Sequence, residues 1–282
     1  MIGRIATAIA PSNPNRIYAV LESDSGGVYR SDDKGITWKL VNDEHSTSYW
    51  YGRVYINPND EDNLFIMGTN VAESKDGGKT FNWIRGWRIH VDHQVLWFNP
   101  SNPKHWLLGN DGGLHRSFDS GKEWEFLSTL PINQFYAFEV SQESPYWIYG
   151  GLQDNGVWGF EIDTENWSDI EDEDLFRVSG GDGFWAAIDP LNPQIVYGES
   201  QYGGLVRRDK QSGEHNGVSP GNRRTRGKYR FNWNTPYFIS VHPPYPLYMG
   251  GNYVFKSFNQ GEKWKEISGD LSRNEDLSEK TT

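Results

Sequence analysis

An eight-residue pattern, S-x-D-x-G-x-x-W, constrains the fold of this chain of 282 residues more than any other feature; it occurs twice as written and twice with one substitution, Phe for Trp or Asn for Asp. The serines fall at 31, 74 and 117, a period of about 43 residues, and again at 257 after about three further periods. A pattern that returns every ~20–50 residues is typical of a repeat architecture. The key positions of the four copies are Ser31, Asp33, Gly35 and Trp38; Ser74, Asp76, Gly78 and Phe81; Ser117, Asp119, Gly121 and Trp124; and Ser257, Asn259, Gly261 and Trp264.

Each copy, which we call a box, has the composition of a structural turn. Ser and Asp side chains form hydrogen bonds to backbone amides of their own turn, and Gly adopts a positive φ without a steric penalty. The aromatic residue at the end of the box can cover an apolar sheet edge. We therefore interpret the boxes as folding devices and not as sites.

A second marker gives the number of repeats. A Pro/Asn turn occurs six times, including in two repeats that have no clear box, so the two markers together indicate six units. The turns are Pro11–Pro14, Pro100–Pro103, Pro190–Pro193 and Pro243–Pro246, with weaker forms at Pro58–Glu61 and Gln142–Pro145.

Each unit reads as four short strands. An alternating segment, such as Arg4–Ile9 or Phe184–Ile188, leads into the Pro/Asn turn, and three further strands follow it. Four antiparallel strands in about 45 residues are the signature of a β-propeller blade. The prediction is an all-β, six-bladed propeller over 1–268 with a polar tail at 269–282; an arc of a larger propeller is the alternative. The predicted blades span about 1–43, 48–86, 90–129, 133–170, 180–218 and 230–268.

The composition agrees with short strands and removes several function classes. The chain has 13 Trp, 15 Tyr and 14 Phe together with 31 Gly, which favours strands and turns over helices. It has no Cys, which excludes disulfides and thiolate chemistry, and its net charge of −11 argues against nucleic-acid binding. No segment is apolar enough to span a membrane, and no signal peptide is visible.

The boxes join the third and fourth strands of each blade, so the loops before the first strands and those between the second and third strands gather on the opposite face. Those loops are rich in aromatic, amide and acidic residues flanked by Gly, as a ligand-binding surface requires. The predicted ligand-binding residues are Trp50, Arg53, His90, Asp92, His93, Asn110, Gln153, Asn155, Gln201, Tyr202, Arg230, Asn232 and Trp233.

At the boxes the chain resembles the BNR/Asp-box repeat proteins, which include sialidases, xyloglucan-active glycoside hydrolases, sortilin-like receptor domains and photosystem assembly factors. Longer segments resemble large bacterial glycosyl-hydrolase-like and sortilin N-terminal-like BNR repeat proteins. That resemblance implies a propeller, secreted or periplasmic, in which further propeller domains of a longer chain are possible partners. The segments are HVDHQVLWFNPSNPKHWLLGNDGG, LPINQFY, YGGLQDNG, GGDGFWAAIDP, YGESQYGG and RFNWNTP.

Two functions follow from this resemblance. The first is a recognition module for a glycan or peptide. The second is a glycoside hydrolase, which needs two carboxyl groups separated by about 5–5.5 Å or about 6.5–9.5 Å across a cleft. The candidate catalytic residues are Asp111, Asp154, Asp182 and Glu199. We expect recognition, with hydrolysis as the alternative.

A metal site is a weaker hypothesis. His90, Asp92 and His93, with Asp111 nearby in the fold, offer imidazole and carboxylate ligands of the kind that zinc prefers. Such residues in a loop more often hydrogen-bond to neighbouring turns, so we expect neither a metal nor any other cofactor.

Overall fold

The computed structural model describes residues 2–24, 26–43, 51–84, 89–127, 133–162, 170, 172–221 and 227–274. Over these ranges the chain is all-β and forms six four-stranded antiparallel sheets. In every sheet the strands are neighbours in the order in which they occur along the chain, which is the arrangement of a propeller blade. The predicted fold class is confirmed, whereas the domain limits at 268 and 269 stay a prediction.

Two 3-10 turns, Asp172–Asp174 and Gln201–Gly203, are the helical elements of the described ranges. None of the helical segments described is long and apolar enough to cross a membrane.

The chain divides into two compact units, Met1–Pro131 and Ile132–Thr282. Unit 1 contains blades 1 to 3. Blade 1 consists of β1 (Ile2–Ile9), β2 (Ile17–Ser23), β3 (Gly27–Ser31) and β4 (Lys39–Asn42); blade 2 of β5 (Val54–Ile56), β6 (Leu64–Ile66), β7 (Val71–Ser74) and β8 (Asn82–Ile84); and blade 3 of β9 (His93–Phe98), β10 (Trp106–Asn110), β11 (Gly113–Ser117) and β12 (Glu125–Phe126).

Unit 2 contains blades 4 to 6. Blade 4 consists of β13 (Phe135–Val140), β14 (Tyr146–Leu152), β15 (Gly156–Ile162) and β16 (Phe176–Ser179); blade 5 of β17 (Ala186–Ile188), β18 (Ile195–Ser200), β19 (Gly204–Asp209) and β20 (His215–Gly217); and blade 6 of β21 (Tyr237–Ile239), β22 (Leu247–Gly250), β23 (Val254–Ser257) and β24 (Lys265–Glu266).

The middle blade of each unit is buried on both faces. In β6, Leu64 belongs to the apolar cluster shared with blade 1, and Phe65 to the cluster shared with blade 3. In β18, Val196 packs towards blade 4, whereas Ile195 and Tyr197 pack towards blade 6. Successive side chains of a strand point to opposite faces, so one apolar run serves two interfaces. Burial of each large side chain contributes roughly 1.5–3 kcal/mol.

The boxes form compact turns between the third and fourth strands. In the first box, Ser31 Oγ accepts a hydrogen bond from Gly35 N (2.8 Å), and Asp33 Oδ1 accepts one from Thr37 N (2.8 Å). Gly35 has a φ of 85°, which explains why Gly is required there. Hydrogen bonds from the Thr37 side chain and backbone and from Ser31 hold the pKa of Asp33 at about 2.

Backbone hydrogen bonds tie each of the first three boxes to the Pro/Asn turn of the same blade. Lys34 N donates to Asn15 O (2.9 Å), and Gly77 N donates to Asp62 O (2.9 Å). Ser120 N donates in the same way to Lys104 O (3.0 Å). Both turns therefore lie at one end of the blade. The turn between the second and third strands lies at the other end.

Replacing Ser74 with Ala should destabilise the chain, because Ser74 Oγ accepts from the buried Gly78 N (2.9 Å) and donates to Asp76 Oδ1 (2.8 Å). Leaving that N–H without a partner costs about 1–3 kcal/mol. We expect a decrease of this size in the free energy of unfolding measured with urea. Ser101→Ala, at an exposed turn position, is the control. Equal stability of the two variants would contradict a stabilising role for the box.

Candidate functional site

In unit 1, the loop before β9 and the β10–β11 turn are held together by Asn110. Its Nδ2 donates to His90 O (2.9 Å), and its Oδ1 accepts from Gly112 N (3.1 Å). A Cβ at Gly112 would overlap the His90 side chain, so the turn needs glycine at this position. Asn110, predicted to bind a ligand, thus already uses its amide group within the fold.

Asp92 is fixed in a similar way. Tyr51 OH donates to Asp92 Oδ1, and Asp92 N donates to Thr69 O (3.2 Å). Burial, then the hydrogen bond to Asp92, and finally the charges of Asp92 and Asp111 raise the pKa of Tyr51. Arg53 donates through its guanidinium to Gln94 O (2.9 Å). Trp50, the remaining predicted residue before β5, lies outside the described residues.

His93 is buried at the start of β9, and its Nδ1 has no hydrogen-bond partner among the described residues. Burial lowers the pKa of its ring to about 4, with smaller effects from His115, Asp92 and His90. No three described His, Asp or Glu side chains of unit 1 bring ligand atoms within 4.8 Å of one another. The metal hypothesis for His90, Asp92 and His93 stays a prediction.

In unit 2, Asp182 is the centre of a compact arrangement of loops. Its side chain is 3% exposed, and each carboxylate oxygen accepts one hydrogen bond. Oδ1 accepts from Asp154 N (2.7 Å), and Oδ2 accepts from Trp233 Nε1 (2.8 Å). Asp182 thus joins the β14–β15 turn of blade 4 to the segment before β21 of blade 6.

Two exposed aromatic rings stand beside this carboxylate, and we call them the aromatic corner. Tyr202 is 63% exposed and Trp233 is 47% exposed. Their ring centroids are 5.2 Å apart, and the rings are inclined at 88°. Tyr202 N donates to Trp233 O (3.1 Å), so backbone and side-chain contacts together fix the pair. Two perpendicular exposed rings form a preformed apolar corner.

Glu199, near the end of β18, has no exposed surface. Its Oε1 accepts from Thr235 N (2.6 Å), and its Oε2 has no partner among the described residues. Burial raises the pKa of Glu199 to about 8, opposed in part by the hydrogen bonds from Thr235. Most Glu199 side chains are therefore neutral at pH 7. A group this deeply buried cannot touch a substrate in this conformation.

The other predicted residues of unit 2 have contacts within the fold. Asn155 Nδ2 donates to Gln153 O (3.0 Å), and the Gln201 side chain lies over Gly181. Asn232 O accepts from Thr235 Oγ1 (2.9 Å). Arg230 forms an ion pair with Asp270 (2.8 Å), so its charge is already balanced.

Sequence reasoning missed two residues that shape the aromatic corner. Thr235 is buried and bonds to both Glu199 and Asn232, and Trp185 Nε1 donates to Asn234 Oδ1 (3.1 Å). The polar sequence Asn232-Trp-Asn234-Thr235 before a Pro is typical of a turn and is the local signal that could have drawn attention to Thr235. The Trp185–Asn234 contact joins residues distant in sequence and leaves no local signal.

Comparison with known proteins gives distant similarities. No protein-family model matches the chain. The human VPS10 domain-containing receptor SorCS3 is 26% identical over 117 residues, which are 39% of this chain and 9% of the receptor. The mouse SorCS3 is 27% identical over the same shares. The chain therefore spans a small fraction of these curated relatives.

Among solved structures, the Niastella koreensis GH74 enzyme aligns with 96% of this chain and 59% of its own, at 11% identity and a TM-score of 0.38. A GH74 xyloglucanase from Xanthomonas campestris aligns over 93% of this chain and 45% of its own, at 14% identity and a TM-score of 0.39. YCF48 bound to D1 peptide aligns over 96% and 83%, at 13% identity and a TM-score of 0.34.

The buried ring of His93 predicts a loss of stability in acid. The unfolded chain protonates near the ordinary value of 6.5, whereas the folded chain does so near 4, so the unfolded state binds more protons between these values. The free energy of unfolding should decrease by about 1–3 kcal/mol as the pH falls from 6.5 to 4.

Urea unfolding at several pH values tests this. His93→Gln should flatten the decrease, whereas His242→Gln, at an exposed turn, should leave it unchanged. If the free energy of unfolding of His93→Gln decreases with falling pH as steeply as that of the wild type, other groups cause the acid sensitivity.

Proposed function

We propose that this chain is a recognition module that binds a glycan at the aromatic corner of unit 2. The observation that carries the proposal is the fixed, exposed pair of Tyr202 and Trp233, held at 88° beside a buried carboxylate. A sugar ring presents apolar C–H faces and polar edges. An aromatic side chain that is fixed before binding contacts such a face with little loss of conformational entropy.

The surroundings of the corner supply polar groups for the edge of a sugar ring. Trp185 is exposed next to Asn234, and the Tyr202 ring carries a hydroxyl group. Binding sites of this kind combine aromatic surface with a small number of placed polar groups. Tyr202 lies in the β18–β19 turn, at the end of blade 5 opposite the turn between its third and fourth strands.

The alternative is glycoside hydrolysis by a pair of carboxyl groups. Both carboxylate oxygens of Asp182 are engaged, and Glu199 is fully buried. A hydrolase needs one carboxyl group to donate a proton to the leaving oxygen and another to attack or to activate water, so both must reach the substrate. Asp182 and Glu199 are therefore unsuited to act as the catalytic pair in this conformation, and this favours recognition over turnover by these two groups.

We also propose that the protein is secreted and that further propeller domains of a longer chain are its partners. Both proposals rest on the resemblance of the repeats. A peptide is the second ligand class that the resemblance implies. The first experiment therefore presents both glycans and peptides to the wild-type chain.

Removing either ring of the corner should weaken ligand binding. Trp233→Ala and Tyr202→Ala should each raise the dissociation constant of a glycan found on an array by about tenfold or more, measured by calorimetry, which corresponds to about 1.4 kcal/mol. Phe258→Ala is the matched control, because Phe258 is an equally exposed ring of unit 2 located in an Asp box. Undiminished binding by both corner variants would exclude this site.

Incubation with a polysaccharide panel separates recognition from hydrolysis. We expect no release of reducing ends above that of a heat-denatured sample. Turnover that is lost in Asp154→Asn or Asp182→Asn would instead establish the hydrolase. Glycan hits on the array without turnover would support recognition of a glycan. Hits confined to peptides would make a peptide the ligand instead.

A further inference from the structure

Glu199 lies directly beneath the segment that carries the aromatic corner. Its backbone N donates to Trp185 O (3.2 Å), and its backbone O accepts from Phe184 N (3.3 Å). Its side chain crosses from β18 to Thr235, whose N–H is 2.6 Å from Oε1. Neither Glu199 nor Thr235 has exposed surface, so this hydrogen bond is shielded from water.

Thr235 in turn closes the turn that presents Trp233. The Thr235 hydroxyl donates to Asn232 O (2.9 Å), which places Trp233 inside a loop of four residues. The indole then donates to Asp182, and the Trp233 carbonyl accepts from Tyr202 N. Contacts therefore run without a break from Glu199, through Thr235 and the turn, to both rings of the corner.

We propose that Glu199 is the positioning residue of the aromatic corner and that it holds the turn at 232–235 in place only while its carboxyl group is protonated. This inference rests on the proposed function for its link to ligand binding. Its structural part, the hold on Trp233, is independent of any ligand.

The requirement for a proton follows from the environment of the second oxygen. Oε2 is buried and has no partner among the described residues, so an ionised carboxylate would place charge where no hydrogen bond stabilises it. Burial accordingly raises the pKa of Glu199 to about 8. Above that pH the charge is relieved by access of water. The turn carrying the half-exposed Trp233 is the segment bonded to the Glu199 side chain through Thr235, so its displacement would provide that access.

Among the described titratable groups around Glu199, Glu199 is the one whose protonation we expect to change between pH 6 and pH 9. Tyr237 of β21, which feels the charge of Glu199, and Tyr197 of β18 are both buried, and burial raises the pKa of each above its ordinary value. The charge of Glu139 of β13 also raises the pKa of Tyr237. On the loops over Glu199, Asp182 is paired with Trp233, and Arg230 is paired with Asp270.

The test begins without a ligand. The chain has 13 Trp, and Trp233→Phe identifies the indole N–H signal of Trp233 in a ¹H–¹⁵N NMR spectrum. In the wild type, this signal should shift or broaden between pH 6 and pH 9 with a midpoint of about 8. In Glu199→Gln, which keeps an oxygen acceptor but cannot ionise, the signal should stay at its low-pH position throughout.

Two further variants separate positioning from simple packing. Glu199→Ala leaves Thr235 N without its acceptor and should displace the Trp233 signal at every pH. Thr235→Val keeps the N–H but removes the bond to Asn232 O, and should displace the same signal without abolishing the titration. A wild-type signal that is constant from pH 6 to pH 9 would overturn the proposal, even if Glu199→Gln failed to fold.

Ligand binding provides the second arm. With any glycan or peptide that the array identifies, the wild-type dissociation constant should rise by about tenfold between pH 7 and pH 9, whereas Glu199→Gln should bind equally at both. If the indole signal titrates but no ligand is found, the proposed function is contradicted, whereas the role of Glu199 in positioning Trp233 stands. A ligand bound at the corner with equal affinity at both pH values, in the wild type, would contradict the regulation alone.

Discussion

A four-stranded sheet with apolar side chains on both faces is stable only when both faces are covered, and this requirement shapes the other features of the chain. Blades 2 and 5 show it directly, since adjacent residues of β6 and of β18 enter different apolar clusters. In β6 and β18 the side chains are apolar except at the end of β18, where Glu199 and Ser200 lie. Where a titratable side chain is buried without a full set of partners, its pKa shifts: burial lowers that of His93 and raises that of Glu199.

Within unit 2 the two carboxyl groups are buried and support the fold, whereas two aromatic rings are exposed to solvent. Asp182 and Glu199 have the residue type of catalytic acids, yet both are buried and bonded to the backbone or side chain of a neighbouring blade. Trp233 and Tyr202 have the residue type of a core, yet they face solvent. The acids act as internal supports, and the rings form the accessible surface.

The sequence predicted the blades well because their signals are local. The boxes and the Pro/Asn turns are formed by residues within eight positions of one another, and their hydrogen bonds match the residues that defined them. The contacts of the candidate site could not be predicted in the same way, because they join residues 36 and 51 positions apart. The start of blade 5 shows the same limit: the predicted strand at Phe184–Ile188 begins at Ala186, since Phe184 bonds instead to Glu199 O across the loop.

The meander order of the strands has a consequence for how the chain acquires its structure. Every sheet pairs strands that are consecutive in sequence, so each blade can form from a segment of about 45 residues without waiting for distant parts of the chain. A lone blade leaves its apolar faces open to water, and the next blade covers one of them. During synthesis from the N-terminus, each new blade within a unit should therefore stabilise the one before it in that unit.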